Sequence, residues 1–229
     1  MGDRNGLQLA TLIPVLGRPH RVRPLINSFL QSRTPGLLVF ITQIDDIDEQ
    51  IALRNAEFPS MRIVTTVDAT TWPQKINVGI EQVDADWYLC AADDVYFHKG
   101  WWQATRPLRD NPQIGVIGTN DMGNPRVIAG DHTTHPLIRR KYIQTYGTID
   151  QPGVAIHEGY RHWYCDDELV LTAKHRDAWA FCDAARIEHL HPYWTGDDMD
   201  ATYLLGESSA NIDYETFKRR LPLLGLEEV

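Results

Sequence analysis

Cysteine is scarce in this sequence. The 229 residues contain three cysteines, Cys90, Cys165 and Cys182, which are odd in number and widely spaced, with no Cys-x-x-Cys pair. This pattern argues against a disulfide framework of the kind found in small secreted domains. We therefore expect three small, buried or half-buried apolar side chains and a reducing, cytoplasmic location.

Long hydrophobic runs are also missing. The N-terminus, Met1 to Gly6, is polar, and the apolar run that follows is short and interrupted by Pro14 and Gly17. A signal peptide or a membrane-spanning helix needs a longer uninterrupted apolar stretch. The sequence thus predicts neither a leader nor a membrane span.

Basic residues are outnumbered by acidic ones. There are 22 Lys and Arg residues against 31 Asp and Glu residues, which makes the formal net charge −9. Non-specific binding to nucleic acid depends on clustered positive charge that displaces counterions from the phosphates. Nucleic acid is therefore disfavoured as a partner, although a local basic patch is not excluded.

Several nucleotide and nucleophile motifs are absent. The chain has no Gly-x-Gly-x-x-Gly, no Gly-x4-Gly-Lys-Ser/Thr and no Gly-x-Ser-x-Gly sequence. The first two cradle phosphates with backbone amides, and the third presents a nucleophilic serine. The readings as dinucleotide-dependent dehydrogenase, P-loop enzyme and serine hydrolase therefore lose support.

The first half of the chain alternates strand-like and helix-like segments. A composition of 43% hydrophobic and 10% aromatic residues is typical of a globular chain. Alternating strands and helices predict a mostly parallel sheet with helices on both faces, whose ligands bind at the carboxyl ends of the strands. The predicted strands are 7–15, 37–42, 61–67, 87–91 and 114–118.

The second half is less regular. Residues 119–159 are rich in Gly, Pro, His and Thr, with little periodicity, and predict long loops. We expect a helix over 166–180, a last strand over 184–190 and an amphipathic helix over 211–220.

Acidic pairs follow two of the predicted strands. Asp45-Asp46 comes after the second strand and Asp93-Asp94 after the fourth. Adjacent carboxylates that leave a buried strand repel each other, and a divalent cation relieves that repulsion. A solvated loop is the alternative reading of either pair.

Other candidate residues lie elsewhere in the chain. His189 and His191 alternate at a strand end, so both imidazoles could face one side and complete a metal site; the alternative is a pair of surface or hydrogen-bonded histidines. Asp166 and Asp167 open a predicted helix, where they could cap it or supply a general base. Lys75, early in another helix, is either solvated or part of a binding site.

The ordered set of these segments resembles the family 2 glycosyltransferases of the GT-A fold. The resemblance runs from about Leu7 to Trp194. Leu9 to Arg33 is similar to the opening strand and helix of that family. Lys75 to Trp101 is similar to its Asn-x-Gly helix, the next strand, the Asp-x-Asp motif and the Gly-Trp that follows. Asp166 to Trp179 resembles the helix that carries its catalytic base.

The resemblance implies roles for individual residues. The metal-binding triplet falls on Ala92-Asp93-Asp94, so Ala92 replaces its first acid, Asp93 faces the sugar or ribose, and Asp94 binds the metal together with His189 or His191. Asp166 matches the general base, with Asp167 as a neighbouring rival. The implied donor-binding residues are Pro14, Arg18, Asp45, Asp46 and Lys75.

The implied function is a metal-dependent, inverting glycosyltransferase of the hexosyltransferase type. Its donor would be a UDP-, GDP- or dTDP-sugar, its cofactor Mn²⁺ or Mg²⁺, and its acceptor a hydroxyl of unknown class. A single GT-A domain would span 1–229, with a nucleotide-sugar half over 7–118, a catalytic-base and acceptor half over 119–200 and a helical tail over 201–229.

Aromatic residues between Thr119 and Tyr164 suit stacking on sugar rings of an acceptor. They are Tyr142, Tyr146, Tyr160, His162, Trp163 and Tyr164. Two other readings stay open. One is a sugar-phosphate nucleotidyltransferase, which usually has an early Gly-rich loop with a Lys. The other is a non-catalytic nucleotide- or carbohydrate-binding module, which Ala92 favours.

Overall fold

The computed structural model describes residues 7–225. The polar N-terminal residues, Met1 to Gly6, and the last residues of the predicted helical tail, 226–229, lie outside this range. No helix within the described range has the length and apolar character needed to cross a membrane. None of the three cysteines forms a disulfide, and Cys90 and Cys165 are buried.

The described chain forms one eight-stranded mixed sheet surrounded by helices. The strand order is β3-β2-β1-β4-β7-β6-β8-β5. Strands β1 to β4 form a parallel block, β6 pairs in parallel with β8, and β7 and β5 pair antiparallel with their neighbours. The strands are β1 Leu7–Pro14, β2 Leu37–Gln43, β3 Met61–Thr66, β4 Ala85–Cys90, β5 Val95–Phe97, β6 Val116–Asn120, β7 Leu137–Arg139 and β8 Trp179–His189.

Helices follow most strands. They are α1 Pro19–Ser32, α2 Ile47–Asn55, α3 Trp72–Gln82, α4 Trp101–Ala104, α5 Arg106–Asp110, α6 Pro125–Ile128, α7 Arg140–Thr145, α8 Cys165–His175, α9 Pro192–Thr195, α10 Ala201–Ser208 and α11 Ala210–Arg220, followed by a 3₁₀ turn over Leu221–Leu224. The predicted α/β fold with a mostly parallel central sheet and helices on both faces is confirmed.

Two hydrophobic clusters cover the two faces of the sheet. In β1, Leu9 and Ile13 belong to the cluster that includes Phe29 of α1. Ala10 and Leu12 belong to the other cluster, which includes Ile76 of α3. Successive side chains of a strand point to opposite faces, so a strand buried on both faces reads as the continuous apolar run seen in the sequence.

Helix α3 is fixed to the sheet by local chemistry. Thr71 and Gln74 form a reciprocal capping box at its start. A Cβ at Gly79 would lie 3.1 Å from Leu12 Cδ2, so the glycine lets the helix pack closely on β1. Asn77 donates its amide to the carbonyl of Ile156, which ties the helix to a distant loop.

The structure corrects two predicted elements in the second half. The helix predicted over 166–180 ends at His175, because Asp177 has a φ of 52° and the chain turns into β8 at Trp179. The region predicted as loops over 119–159 contributes β7, which lies between β4 and β6. Three residues are too few to show a strand period, so the pattern could not reveal this insertion.

A buried ion pair joins α8 to α11. Arg220 donates to both carboxylate oxygens of Glu168, at 2.6 and 3.0 Å, and the Tyr160 hydroxyl donates to the same carboxylate at 2.8 Å. Glu168 and Arg220 are 4% and 8% exposed. This network anchors the C-terminal helices to the helix that begins with Asp166.

Arg220→Met should lower the free energy of unfolding by about 3–5 kcal/mol, because it leaves the Glu168 carboxylate buried and unpaired. Urea unfolding measures the change. Arg219→Met, at the exposed neighbouring position, is the matched control. The added substitution Glu168→Leu should restore much of the loss. A loss from Arg220→Met as small as that of the control would show that the pair does not anchor α8.

Candidate active site

A cavity of about 370 Å³ opens at the carboxyl ends of the central strands. It lies where parallel α/β sheets bind their ligands. Of the residues predicted for the metal, donor and base sites, Arg18, Asp94, Asp166, His189 and His191 line it, together with Ala92 of the metal-binding triplet. The structure thus gathers the candidate metal ligands and the candidate base, which come from three separate stretches of sequence, around one space.

The acidic pair after β4 is buried. Asp93 and Asp94 are 7% and 3% exposed. Arg18 donates to Asp93 Oδ1 at 2.9 Å, and the same guanidinium nitrogen lies 3.9 Å from Asp94 Oδ2. Burial, followed by the charge of Asp94, raises the pKa of Asp93, against the opposing effect of Arg18.

Asp94 has the lower pKa of the two carboxyl groups. Burial raises its pKa, but the charge and hydrogen bond of His189 and the hydrogen bond from Tyr203 outweigh burial and hold the pKa well below its ordinary value. His189 Nε2 lies 3.3 Å from Asp94 Oδ2, and the Tyr203 hydroxyl donates to the same oxygen at 2.6 Å. The contact with His189 is set by the backbone, because Leu190 N donates to the Asp94 carbonyl at 2.8 Å.

These residues fit a divalent cation. Asp94 Oδ1 is buried and has no hydrogen-bond partner within the described range, and His189 Nε2 lies 3.3 Å from the other carboxylate oxygen. A carboxylate oxygen and an imidazole nitrogen are suitable ligands for Mn²⁺, and the carboxylate also for Mg²⁺. The unpartnered Asp94 oxygen is the donor that such an ion would satisfy.

His191 also lines the cavity, but one of its ring nitrogens already has a hydrogen-bond partner. Its Nδ1 accepts a hydrogen bond from Tyr193 N at 3.1 Å and so caps α9. Its ring lies 5.1 Å from the His189 ring, and burial, followed by the charge of His189, lowers its pKa to about 4. The other ring nitrogen, Nε2, is the one that could reach a ligand in the cavity.

The two acids that open α8 have separate surroundings. Asp166 lines the cavity, accepts from His132 Nε2 at 3.1 Å and accepts from Asp167 N at 3.0 Å. Asp167 does not line it, and its Oδ1 accepts from Arg126 at 2.6 Å. Burial raises the pKa of Asp166, but the charge and hydrogen bond of His132 outweigh it and lower that pKa. Asp166 is therefore the better-placed base.

Between residues 7 and 225, one set of three possible ligand atoms lies within 4.8 Å of one another, and it belongs to His132, Asp166 and Asp167. The possible ligand atoms of the predicted metal set, Asp94, His189 and His191, do not all lie within 4.8 Å of one another. In the tighter set, Arg126 already neutralises Asp167 and His132 already bonds Asp166.

A C-terminal segment covers the side of the cavity that Arg18 lines. Arg18 donates to both carboxylate oxygens of Asp200 at 2.9 and 2.8 Å, and its guanidinium lies 3.8 Å from the centre of the Tyr203 ring. The Thr202 hydroxyl donates to the carbonyl of Leu16 at 3.0 Å. Arg18, predicted to bind the donor, is thus held by α10.

The other predicted donor-binding residues lie beside the cavity and do not line it. Pro14 is buried at the end of β1. Lys75 is buried, donates to the carbonyl of Val15 at 2.7 Å, and has its pKa lowered to about 8 by burial. Asp46 caps α2 and accepts from Gly17 N at 2.8 Å, whereas Asp45 is exposed. Lys75 and Asp46 thus hold the first loop in place.

The structure also brings in residues that the sequence did not single out strongly. His132 contacts the candidate base. His135 is 3% exposed, packs edge-on against His189 at 4.8 Å, and has no hydrogen-bond partner on either ring nitrogen within the described range. Tyr203 and Asp200 belong to a helix far along the chain, and no local pattern connects them with Asp94 or Arg18.

Most of the aromatic residues predicted to stack on an acceptor are packing residues. Tyr142 and Tyr160 are buried in the core, and Tyr164 stacks on Phe217 at 5.4 Å. Only His162 and Trp163 of the predicted set line the cavity.

Comparison with known proteins identifies the fold. No protein-family model and no curated protein sequence matches the chain. Solved glycosyltransferases have similar structures. One is glucosyl-3-phosphoglycerate synthase from Mycobacterium tuberculosis with Mn²⁺, UDP and phosphoglyceric acid, with a TM-score of 0.61 and 12% identity over 97% of this chain and 80% of that one.

Two further structures are similar. S. aureus TarS 1–349 with UDP-GlcNAc has a TM-score of 0.69 and 14% identity, over 95% of this chain and 65% of that one. The mannosyltransferase PcManGT from Pyrobaculum calidifontis with GDP-Man and Mn²⁺ has a TM-score of 0.64 and 10% identity, over 97% of this chain and 74% of that one. The predicted GT-A fold is confirmed.

Proposed function

We propose that the chain is a metal-dependent glycosyltransferase that moves a sugar from a nucleoside diphosphate donor to an acceptor hydroxyl with inversion. The strongest support for this proposal is that Asp166 and the Asp94–His189 pair line one cavity at the carboxyl ends of the strands. The GT-A fold supports the same assignment, because the similar structures were solved with UDP, UDP-GlcNAc or GDP-Man.

Asp94 and His189 would hold Mn²⁺ or Mg²⁺, with His191 as a further ligand. When bound, the ion would neutralise the negative charge that develops on the leaving diphosphate. The unpartnered Asp94 Oδ1 supports this role. Asp93 and Arg18 would face the donor, and Pro14, Asp45, Asp46 and Lys75 would shape the loops around its nucleotide.

Asp166 is the proposed general base. Its carboxylate would accept the proton of the acceptor hydroxyl as that oxygen attacks the anomeric carbon. One carboxylate is enough for inversion, since no glycosyl-enzyme intermediate has to form. Asp166 is half-buried and lines the cavity, whereas Asp167 is tied to Arg126 away from it.

His132 should set the pKa of this base. Asp166 accepts from the His132 imidazole, whose own pKa is raised because the charge of Asp166 outweighs burial. In His132→Gln the carboxylate loses a positive partner, so its pKa rises. The acidic limb of the kcat/KM–pH profile should then move up by about one to two pH units.

The control for this shift is His175→Gln, which removes an exposed imidazole at the end of α8, the helix that contains Asp166. It should leave the profile unchanged. An acidic limb that stays in place in His132→Gln would show that His132 does not govern the base.

One observation keeps a second candidate function in view. Ala92 lines the cavity where the resembling motif has its first acid. A non-catalytic nucleotide- or carbohydrate-binding module would tolerate that loss. A sugar-phosphate nucleotidyltransferase has no comparable support, because the loop from Pro14 to Pro19 contains one glycine.

Calorimetric titration with UDP-, GDP- and dTDP-sugars, with and without Mn²⁺, tests the proposal. We expect one nucleotide series to bind, more tightly with Mn²⁺, and binding to be followed by slow release of nucleoside diphosphate. Binding without any turnover would favour the module. No binding to any of the three series would overturn the proposed donor class.

A further inference from the structure

An exposed tryptophan forms part of the cavity wall beside Gly123, which belongs to the region predicted as loops over 119–159. Trp194 lies in α9, just after β8, and remains 41% exposed although it lines the cavity. A Cβ on Gly123 would lie 2.5 Å from Trp194 Cγ and 2.6 Å from Cδ1. The indole therefore rests on the bare backbone of Gly123, which fixes its position and leaves ring surface open to the cavity.

Within the described range, the cavity presents no unpaired Arg or Lys side chain to a charged acceptor. Among the described residues that line it, Arg18 is the one Lys or Arg. Its guanidinium is already paired with Asp93 and Asp200 and lies near Asp94. Recognition of a phosphate or carboxylate group normally uses an unpaired Arg or Lys.

Neighbouring wall residues carry neutral polar groups. Asn124 uses its side-chain oxygen to accept from Arg126 N at 3.0 Å, which leaves its amide N–H groups to donate. Thr134 donates its hydroxyl proton to Asp121 at 3.0 Å, which leaves the oxygen able to accept. A flat aromatic surface with neutral donors and acceptors beside it matches the face and hydroxyls of a sugar ring.

We propose that the acceptor is an uncharged saccharide whose ring stacks on Trp194 and presents a hydroxyl to Asp166. This inference rests on the proposed function and specifies its acceptor. In the transfer, the bond from the donor's anomeric carbon to the diphosphate oxygen breaks, and its electron pair leaves with the nucleoside diphosphate. A new bond joins that carbon to the acceptor oxygen, whose proton passes to the Asp166 carboxylate.

Binding without donor tests the acceptor class directly. Saturation-transfer NMR would compare neutral glucose, galactose, mannose and N-acetylglucosamine and their disaccharides with the corresponding 6-phosphates and uronic acids. We expect at least one neutral sugar to bind the full chain and its charged counterparts to bind more weakly. Stronger binding of the phosphates or uronic acids would overturn the proposal.

Variants test the role of the indole. Trp194→Ala should raise the KM for the acceptor by roughly tenfold, the scale of a lost stacking contact, and leave donor affinity and donor hydrolysis unchanged. Trp194→Phe should raise the acceptor KM less, because the phenyl ring keeps part of the stacking surface. Gly123→Ala keeps the indole and displaces it, so it should also raise the acceptor KM.

Tyr214→Ala is the matched control, because it removes an aromatic ring that is 39% exposed and does not line the cavity. It should change neither KM. An unchanged acceptor KM in Trp194→Ala would overturn the stacking role. Saccharide binding by a chain that neither hydrolyses nor transfers any nucleotide sugar would support the saccharide site at Trp194 and overturn the transferase. The failure of the site and the failure of the proposed function are therefore distinguishable.

Discussion

Asp166→Asn should reduce sugar transfer by about a hundredfold to ten-thousandfold, the usual contribution of a general base. The amide has the same shape as the carboxylate and keeps an oxygen for the His132 hydrogen bond, but it cannot take a proton from the acceptor hydroxyl. Donor affinity should be unchanged, because the loss concerns the chemical step. Single-turnover transfer and calorimetric donor binding measure the two quantities separately.

Asp167→Asn distinguishes the two acids of α8. Asp167 faces Arg126 and does not line the cavity, so this variant should retain far more transfer than Asp166→Asn. Asp86→Asn, which changes an exposed acid on β4, controls for the loss of a carboxylate. Near-normal transfer in Asp166→Asn, or a larger loss in Asp167→Asn, would contradict the assignment of the base.

Asp94→Asn should weaken Mn²⁺ binding by at least about a hundredfold, more than the usual effect of altering a group that only supports a metal ligand. The variant removes the ionised carboxylate whose second oxygen has no partner in the described chain. Titration of free Mn²⁺ by electron paramagnetic resonance measures the affinity without any turnover. Transfer should fall with it, and excess EDTA should abolish transfer in the unaltered chain until Mn²⁺ is added back.

His189→Gln should also weaken Mn²⁺ binding, because it removes the imidazole that contacts Asp94. Asp86→Asn again serves as the control and should bind the ion normally. If Asp94→Asn binds Mn²⁺ as well as the unaltered chain does, or if transfer persists in excess EDTA, this metal site is wrong.

The fold was predictable from the sequence where strands are long and buried on both sides. The segments that became β1, β2 and β4 are continuous apolar runs, and turn residues separate them from the helices that follow. β7 was not predictable, because its three residues pair antiparallel between strands from distant parts of the chain. The end of α8 was misplaced because a single left-handed residue, Asp177, terminates it.

The site was predictable where chemistry and chain position coincide. Asp94, His189 and Asp166 lie at strand ends or a helix start, which a parallel fold brings to one edge. Their partners could not be predicted, since Tyr203 is 109 residues from Asp94 and Asp200 is 182 residues from Arg18. Such contacts depend on how α10 packs, which no local pattern encodes.

Lys75 and Asp46 have structural contacts that the sequence did not reveal. Both have residue types that suit a nucleotide site, and both lie near the predicted edge of the sheet. In the structure, however, their charged atoms hold backbone groups of the first loop, at Val15 and Gly17. Any contact of theirs with a donor stays a prediction.

The most direct test of the central proposal is a mass-spectrometric screen of UDP-, GDP- and dTDP-sugars incubated with the chain, Mn²⁺ and neutral saccharides. We expect the sugars of one donor series to be transferred, which yields the nucleoside diphosphate and a glycosylated saccharide of inverted anomeric configuration. Release of pyrophosphate, a product with retained configuration, or no conversion of any donor would contradict the proposal.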